Sequence, residues 1–209
     1  MTHTGWAAVV LLSLACFGCD ADPGKGKEKA SVGSAKPVGS AVEAATFGAW
    51  KIDDSSTIAF TGSNVTTKHE GGFKTFTGGI TLADGKVEGA TVVIEIDMGS
   101  VFTDDGELTT HLKSADFFDV PNHKTAGFRS TRVVAGEGGS YKVTGNLTVR
   151  GEMHSITFPA KIDAGGDKIT VSADFAINRK DFNINYKGAA DDLIRDNVAI
   201  KLALTASKR

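Results

Sequence analysis

From about Phe47 onward, apolar and polar positions alternate with a period of two, the pattern of strands with one buried face. In "TVVIEIDM", Val92, Ile94, Ile96 and Met98 share one face while Glu95 and Asp97 take the other. Tyr141, Val143, Leu147 and Val149 repeat it in "YKVTGNLTV", as do Ile156, Phe158, Ala160 and Ile162 in "SITFPAKI". So do Ile169, Val171, Ala173, Phe175 and Ile177 in "KITVSADFAI", and Val198, Ile200, Leu202 and Leu204 in the last run, "NVAIKLALTA". The turn sequences "ADGK", "GEGG" and "DAGGDK" fall between runs at hairpin spacing. The expectation is an all-β domain, an antiparallel meander that curls to hide its edges. Glycines inside strands, in "FTGS", "FTGGI" and "VTGNL", mark the bulges and bends of a closing sheet and favour a barrel over a sandwich.

One segment breaks the alternation. In "DDGELTTHLKSADFF", Leu108, Leu112 and Ala115 recur at helical spacing, and Asp104 and Asp105 suit a helix N-terminus. A short helix is therefore expected to cap one barrel mouth, with Phe117 and Phe118 at its end. Those rings have two readings: core residues sealing the mouth, or contacts for a bound molecule.

The N-terminus differs from this domain. "GWAAVVLLSLACFGC" is an apolar run of about a dozen residues, too short to span a bilayer and suited to the hydrophobic region of a signal peptide over residues 1–19. The preceding "MTHTG" lacks the usual basic residues. Both cysteines, Cys16 and Cys19, lie at the end of this run, so no disulfide can staple the domain. The stretch resembles a bacterial lipoprotein signal, with Cys19 after Gly18 as the lipidated residue and Cys16 after Ala15 as the alternative; an ordinary secreted protein is the plainer reading. Residues 20–46 are rich in Gly, Ala, Ser, Pro and Lys and carry no aromatic side chain. Such a stretch buries too little apolar surface to offset ordering and is expected to be a flexible tether ahead of a domain at 47–209. Its lysines alternate with acids, which makes a nucleic-acid arm a weak reading, and the net charge of the whole chain, -2, adds no support for one.

Catalytic chemistry finds little support. His69, His111, His123 and His154 are scattered without a metal-binding spacing, and no G-x-S-x-G elbow occurs. Asp116 and Asp119 flank the paired phenylalanines and are read as hydrogen-bonding the helix end. No enzyme activity, metal or cofactor is expected.

Several separated segments resemble the YceI family of bacterial periplasmic proteins. They are "WKIDDSSTIAFTGSNVTTKHEGGFKTFTGGITL", "TTHLKSADFFDV", "YKVTGNLTVRGEMHSITFPA" and "FAINRKDFNI", with the His111–Asp119 and Gly145–Gly151 blocks the most specific. The resemblance implies an eight-stranded, lipocalin-like antiparallel barrel. Its elongated apolar interior would hold a polyisoprenoid, an isoprenoid quinone or another long-chain amphiphile, for storage or transport in the cell envelope. Candidate lining residues are Phe60, Phe73, Phe76, Leu112, Phe117, Phe118, Phe128 and Phe175. The partners implied are that lipid and, through the N-terminal anchor, a membrane at the periplasmic side of the envelope; a homodimer is a possible assembly. Rival classes are a solidly packed structural or stress-related envelope protein and a hydrolase. Two departures from the family stand out: His123-Lys124 where Tyr-Pro is usual, and Asn183 in place of a glycine, where asparagine tolerates a left-handed backbone.

Overall fold

The computed structural model describes residues 22–36, 49–189 and 192–208. Cys16 and Cys19, and the signal and lipidation readings with them, lie outside the described residues. The chain opens with two short strands, β1 (Glu28–Lys29) and β2 (Ser31–Ser34). The wall proper begins with β3 (Trp50–Ile52), β4 (Thr57–Ser63), β5 (Lys68–Phe73), β6 (Phe76–Ala83) and β7 (Lys86–Asp97). After β8 (Val101–Thr103) comes the helix α1 (Gly106–Leu112). Then follow β9 (Thr125–Ala135), β10 (Tyr141–Val149), β11 (Glu152–Gly165) and β12 (Lys168–Asn178). A small hairpin, β13 (Gly188–Ala189) with β14 (Asp192–Leu193), precedes the last strand, β15 (Asn197–Lys208).

These strands form a closed antiparallel barrel of eight staves. β3 with β4, and β5 with β6, each act as one bent stave. The hydrogen-bonded order runs β12, β11, β10, β9, β7, β6, β3, β15, and the pairing of β15 with β12 from Lys168↔Ser207 to Asn178↔Asn197 closes the circle. Closure leaves no long edge in the main wall, the usual solution for a sheet of this size. The period-two faces read from sequence point inward: Val92, Ile94, Ile96 and Met98 on β7 pack against Ile156 and Phe158 on β11 and Val171 and Phe175 on β12 in one core.

Gly145 shows what an in-strand glycine does here. The β9–β10 register shifts between Thr144 and Gly145, and a Cβ on Gly145 would lie 2.4 Å from Cζ of Phe128. The missing side chain makes room for the ring. Asn183 adopts the left-handed region at φ 57°, so the turn survives without glycine.

Two expectations need correction. First, Glu28–Lys29 and Ser31–Ser34 are strands although they lie inside the stretch that composition marks as tether. β2 pairs antiparallel with β11, from His154↔Ser34 to Thr157↔Ser31, and β1 pairs parallel with β12 at Phe175 and Ala176. The described part of the stretch is held chiefly by backbone hydrogen bonds, which residue composition does not report, with Ala30 and Val32 packed on the core and Pro23 buried. Second, α1 stops at Leu112, so Phe117 and Phe118 sit on the turns after it. The Asp105 carboxylate caps the helix by accepting from the Leu108 N–H at 2.9 Å. Asp104 bonds instead to the Glu70 N–H and to His69.

Candidate ligand-binding cavity

The barrel interior is not filled. A cavity of about 340 Å³ runs along it, lined by inward residues of nearly every stave together with Leu108 and Leu112 of α1. Natively packed interiors leave few voids larger than a water molecule, so an apolar space of this size calls for an occupant or a function. Phe60, Phe73, Leu112, Phe117, Phe118, Phe128 and Phe175 all border it. Phe76 does not. The stave breaks at Lys74 and Thr75, and Phe76, opposite Ile96 on the inward face of β6, packs against the core there without reaching the cavity, beside a groove with Thr75 and Thr77.

Aromatic rings order the lining. Phe60 meets Phe73 at 5.8 Å, and Phe73 meets Phe118 at 6.2 Å, joining β4, β5 and the turn after α1. On the other side Phe128 meets Phe158 at 5.7 Å, and Phe158 stacks on Phe175. Phe158, Phe182, Ile184 and Ile194 also line the cavity and were missed in the candidate set. Phe158 was visible in the alternation of β11, whereas Phe182, Ile184 and Ile194 lie in turns where no periodicity marks an inward face.

The cap is assembled from several segments. Phe117, 6% exposed, forms a satellite core with Val101, Leu112 and Ile184. The His111 ring stands edge-on to Phe117 at 4.9 Å and meets Tyr186 at 5.0 Å, while its Nε2 lies 2.9 Å from Asp116. Arg150 ties the cap together by donating to the Asn183 carbonyl at 2.6 Å and to the Ala115 carbonyl at 2.9 Å. His123, at one family departure, lies against Gly151: its ring would come within 3.0 Å of a Cβ there.

Polar lining residues gather at this capped end: Ser63, Asn64 and His69 of the β4–β5 hairpin with Arg179 and Arg195. The Arg195 N–H donates to the Ser63 carbonyl at 2.8 Å, so the two segments touch. Arg179 is 5% exposed and donates to the carbonyls of Ile184, Arg195 and Ile194 and to Asp196. Burial pushes its guanidinium below the ordinary value while Asp196 opposes the shift. Its charge is engaged in holding the turns together. Ser63 Oγ is buried and has no hydrogen-bond partner among the described residues.

The four histidines among the described residues do not converge. His69 bonds Asp104 at 3.0 Å, His111 bonds Asp116, His123 lies 3.8 Å from Asp119, and the His154 ring stands edge-on to Phe182 at 5.4 Å. Asp119 accepts from Asn122 rather than facing the cavity. What the arrangement offers chemically is apolar surface with a few polar groups at one end.

A family model described as the YceI-like domain matches residues 50–206. A UPF0312 protein of Pseudomonas putida is 29% identical over 137 residues, which cover 63% of this chain and 71% of that relative. Among solved structures, Burkholderia cenocepacia BcnA superposes with a TM-score of 0.68 at 26% identity, covering 75% of this chain and 99% of BcnA. A domain from Saccharophagus degradans described as polyisoprenoid binding gives a TM-score of 0.64 over 77% of this chain and 99% of its own; at 18% identity it speaks for the fold alone.

Proposed function

The chain belongs to the YceI family, and from that premise we propose that its barrel is a non-enzymatic carrier for a long-chain isoprenoid or similar amphiphile in the cell envelope. The observation that carries this is the cavity: about 340 Å³ with an almost wholly apolar wall and its polar residues confined to the capped end. Each 100 Å² of apolar surface removed from water contributes about 2.5 kcal/mol, so a slender chain inside this wall binds without polar contacts. The polar head of the ligand lies at the Ser63, Asn64 and His69 end. The Saccharophagus domain described as polyisoprenoid binding shares this fold, and extending that ligand class to this chain is part of the proposal.

The test is to purify the full chain from membranes and from the soluble fraction, extract it with organic solvent and identify the extract by mass spectrometry. Recovery of a long-chain isoprenoid is expected. Repeatedly empty protein that also fails to bind added isoprenoid quinone would overturn the proposal.

Export and lipidation at Cys19 place the carrier on a membrane surface facing the periplasm. Anchoring takes more than one acyl chain, and lipidated bacterial cysteines carry two or three. Cys19→Ser with Cys16 intact is expected to release the protein from membranes. A variant that stays acylated and bound makes Cys16 the anchor, and a wild-type chain that incorporates no labelled fatty acid is simply secreted.

A further inference from the structure

β11 and β12 are consecutive staves, yet they pair only near their shared turn, from Lys161↔Ser172 to Gly165↔Lys168. Beyond that point they part, and the N-terminal segment fills the split: β2 takes the free edge of β11 and β1 that of β12. The Ala30 N–H donates to the Ala176 carbonyl at 2.8 Å, and Lys27 forms an ion pair with Asp174. Behind the split stand Ile156, Phe158, Phe175 and Ile177, all lining the cavity. A separate piece of chain thus completes the barrel wall.

We infer that this seam is the lateral portal through which an apolar chain enters and leaves the cavity, and that residues 22–36 are its removable stave. Three observations bear on this. The strand region of the stave is fixed by few side chains: Ala30 and Val32 pack on the core, Glu28, Lys29, Ser31, Gly33 and Ser34 are exposed, and buried Pro23 and Gly24 lie ahead of it. The barrel is nevertheless built to receive it. Asn146, 4% exposed on β10, uses both halves of its amide on Lys36, accepting from its N–H at 3.0 Å and donating to its carbonyl at 2.7 Å. A third is that the capped mouth is closed by Arg150 and the Phe117 cluster.

The position of the stave also changes what the N-terminus does. Three residue steps separate Cys19 from Asp22, at most about 11 Å of extended chain. Asp22 and Gly24 already touch the barrel at Asn197 and Ala176. An acyl anchor at Cys19 therefore holds the seam close to the bilayer, where a lipid would leave or join it. This inference rests on the lipid-binding reading, and its test separates the two.

The experiment uses the full chain with Cys16→Ser and Cys19→Ser, and adds Gly33→Cys with Ser155→Cys, which face each other in the register. A Cβ at Gly33 meets nothing within 4 Å, so the new cysteine fits. The probe is a fluorescent farnesyl derivative offered in phosphatidylcholine vesicles. Oxidation should slow its uptake and release by about tenfold or more, as locking a gating segment does, with reduction restoring the rate. A second variant, Val32→Asp, should speed exchange while leaving the thermal transition of the barrel in place. Equal rates in the oxidised and reduced states, with binding intact, would overturn the portal and leave the carrier standing. Absence of uptake by the parent chain would overturn both.

Discussion

The rings of Phe158 and Phe175 stack at 4.3 Å with their planes 12° apart, directly behind the place where the backbones of β11 and β12 have separated. Side chains close the inside of a split that hydrogen bonds leave to the N-terminal segment. Phe175 is 3% exposed and borders both the stack and the cavity. Phe175→Ala should lower stability by about 3–5 kcal/mol in the ligand-free protein. Urea denaturation of delipidated protein checks this; a loss under about 1 kcal/mol would mean that the ring is not held by the stack.

Phe117 and Leu204 separate ligand contact from packing elsewhere. Both are buried and both line the cavity, but Phe117 belongs to the cap cluster and Leu204 to the main wall. Each alanine substitution should cost roughly 2–5 kcal/mol of stability. Phe117→Ala should in addition raise the dissociation rate of a farnesyl probe more than Leu204→Ala does. If stopped-flow release rates rise equally, the cap does not retain the ligand.

Ser63 offers the reverse contrast. Its buried hydroxyl has no partner among the described residues, so Ser63→Ala removes an uncompensated polar group. Such a group costs about 1–3 kcal/mol, and the empty variant should be at least as stable as wild type. Affinity for an isoprenoid bearing a hydrogen-bonding head should fall, while affinity for a plain long-chain hydrocarbon stays level. Titration calorimetry with both ligands decides; equal affinities for wild type and variant remove Ser63 from the head-group end.

Gly145 tests how tightly the wall is seated. Gly145→Ala sets a methyl group against the Phe128 ring and 2.6 Å from the Arg129 carbonyl. Overpacking of this kind costs about 1–3 kcal/mol, read as a lowered melting temperature. Phe128→Leu in the same chain should recover part of the loss.

Asp104 carries the pH dependence. The hydrogen bond with His69, and next the Glu70 N–H, hold its carboxyl below its ordinary value of 3.8. A carboxyl whose folded value is depressed adds stability that is present above its unfolded value and disappears as pH falls through the folded one. Asp104→Ala should therefore lower the denaturation midpoint near pH 7, and the gap from wild type should close as pH falls through the lowered folded value of the carboxyl. A gap of constant size would assign the effect to lost helix-entry geometry.

Much of this molecule could be read from residue order, for a physical reason. A strand facing a single interior must alternate, so Val92, Ile94, Ile96 and Met98 declared their face, and the glycines of β6 and β10 declared a curved wall. The N-terminal stave was hidden because its contribution is backbone: Ala30 and Val32 are too small and too few to rise above the lysines and glycines around them. Its trace lay elsewhere, in Asn146, an amide on a strand position whose neighbours are covered. The interior itself could not be told from a packed core, since Phe117 against a ligand and Phe117 against Ile184 demand the same side chain. Phe76 shows the converse error: a correct residue type placed at a break in the stave.

The near absence of hydrogen-bonding groups along the cavity wall has a consequence for selectivity. A surface of Val, Ile, Leu and Phe distinguishes guests by girth and length, and it is blind to saturation pattern, branching detail or biosynthetic origin as long as the shape fits. A barrel with such a wall, loaded as proposed, would take whichever slender lipid is supplied to it. Two bacteria with different lipid repertoires could then load this same chain with different cargo without one substitution inside it, and discrimination would fall to the few groups around Ser63 and His69 that meet the head.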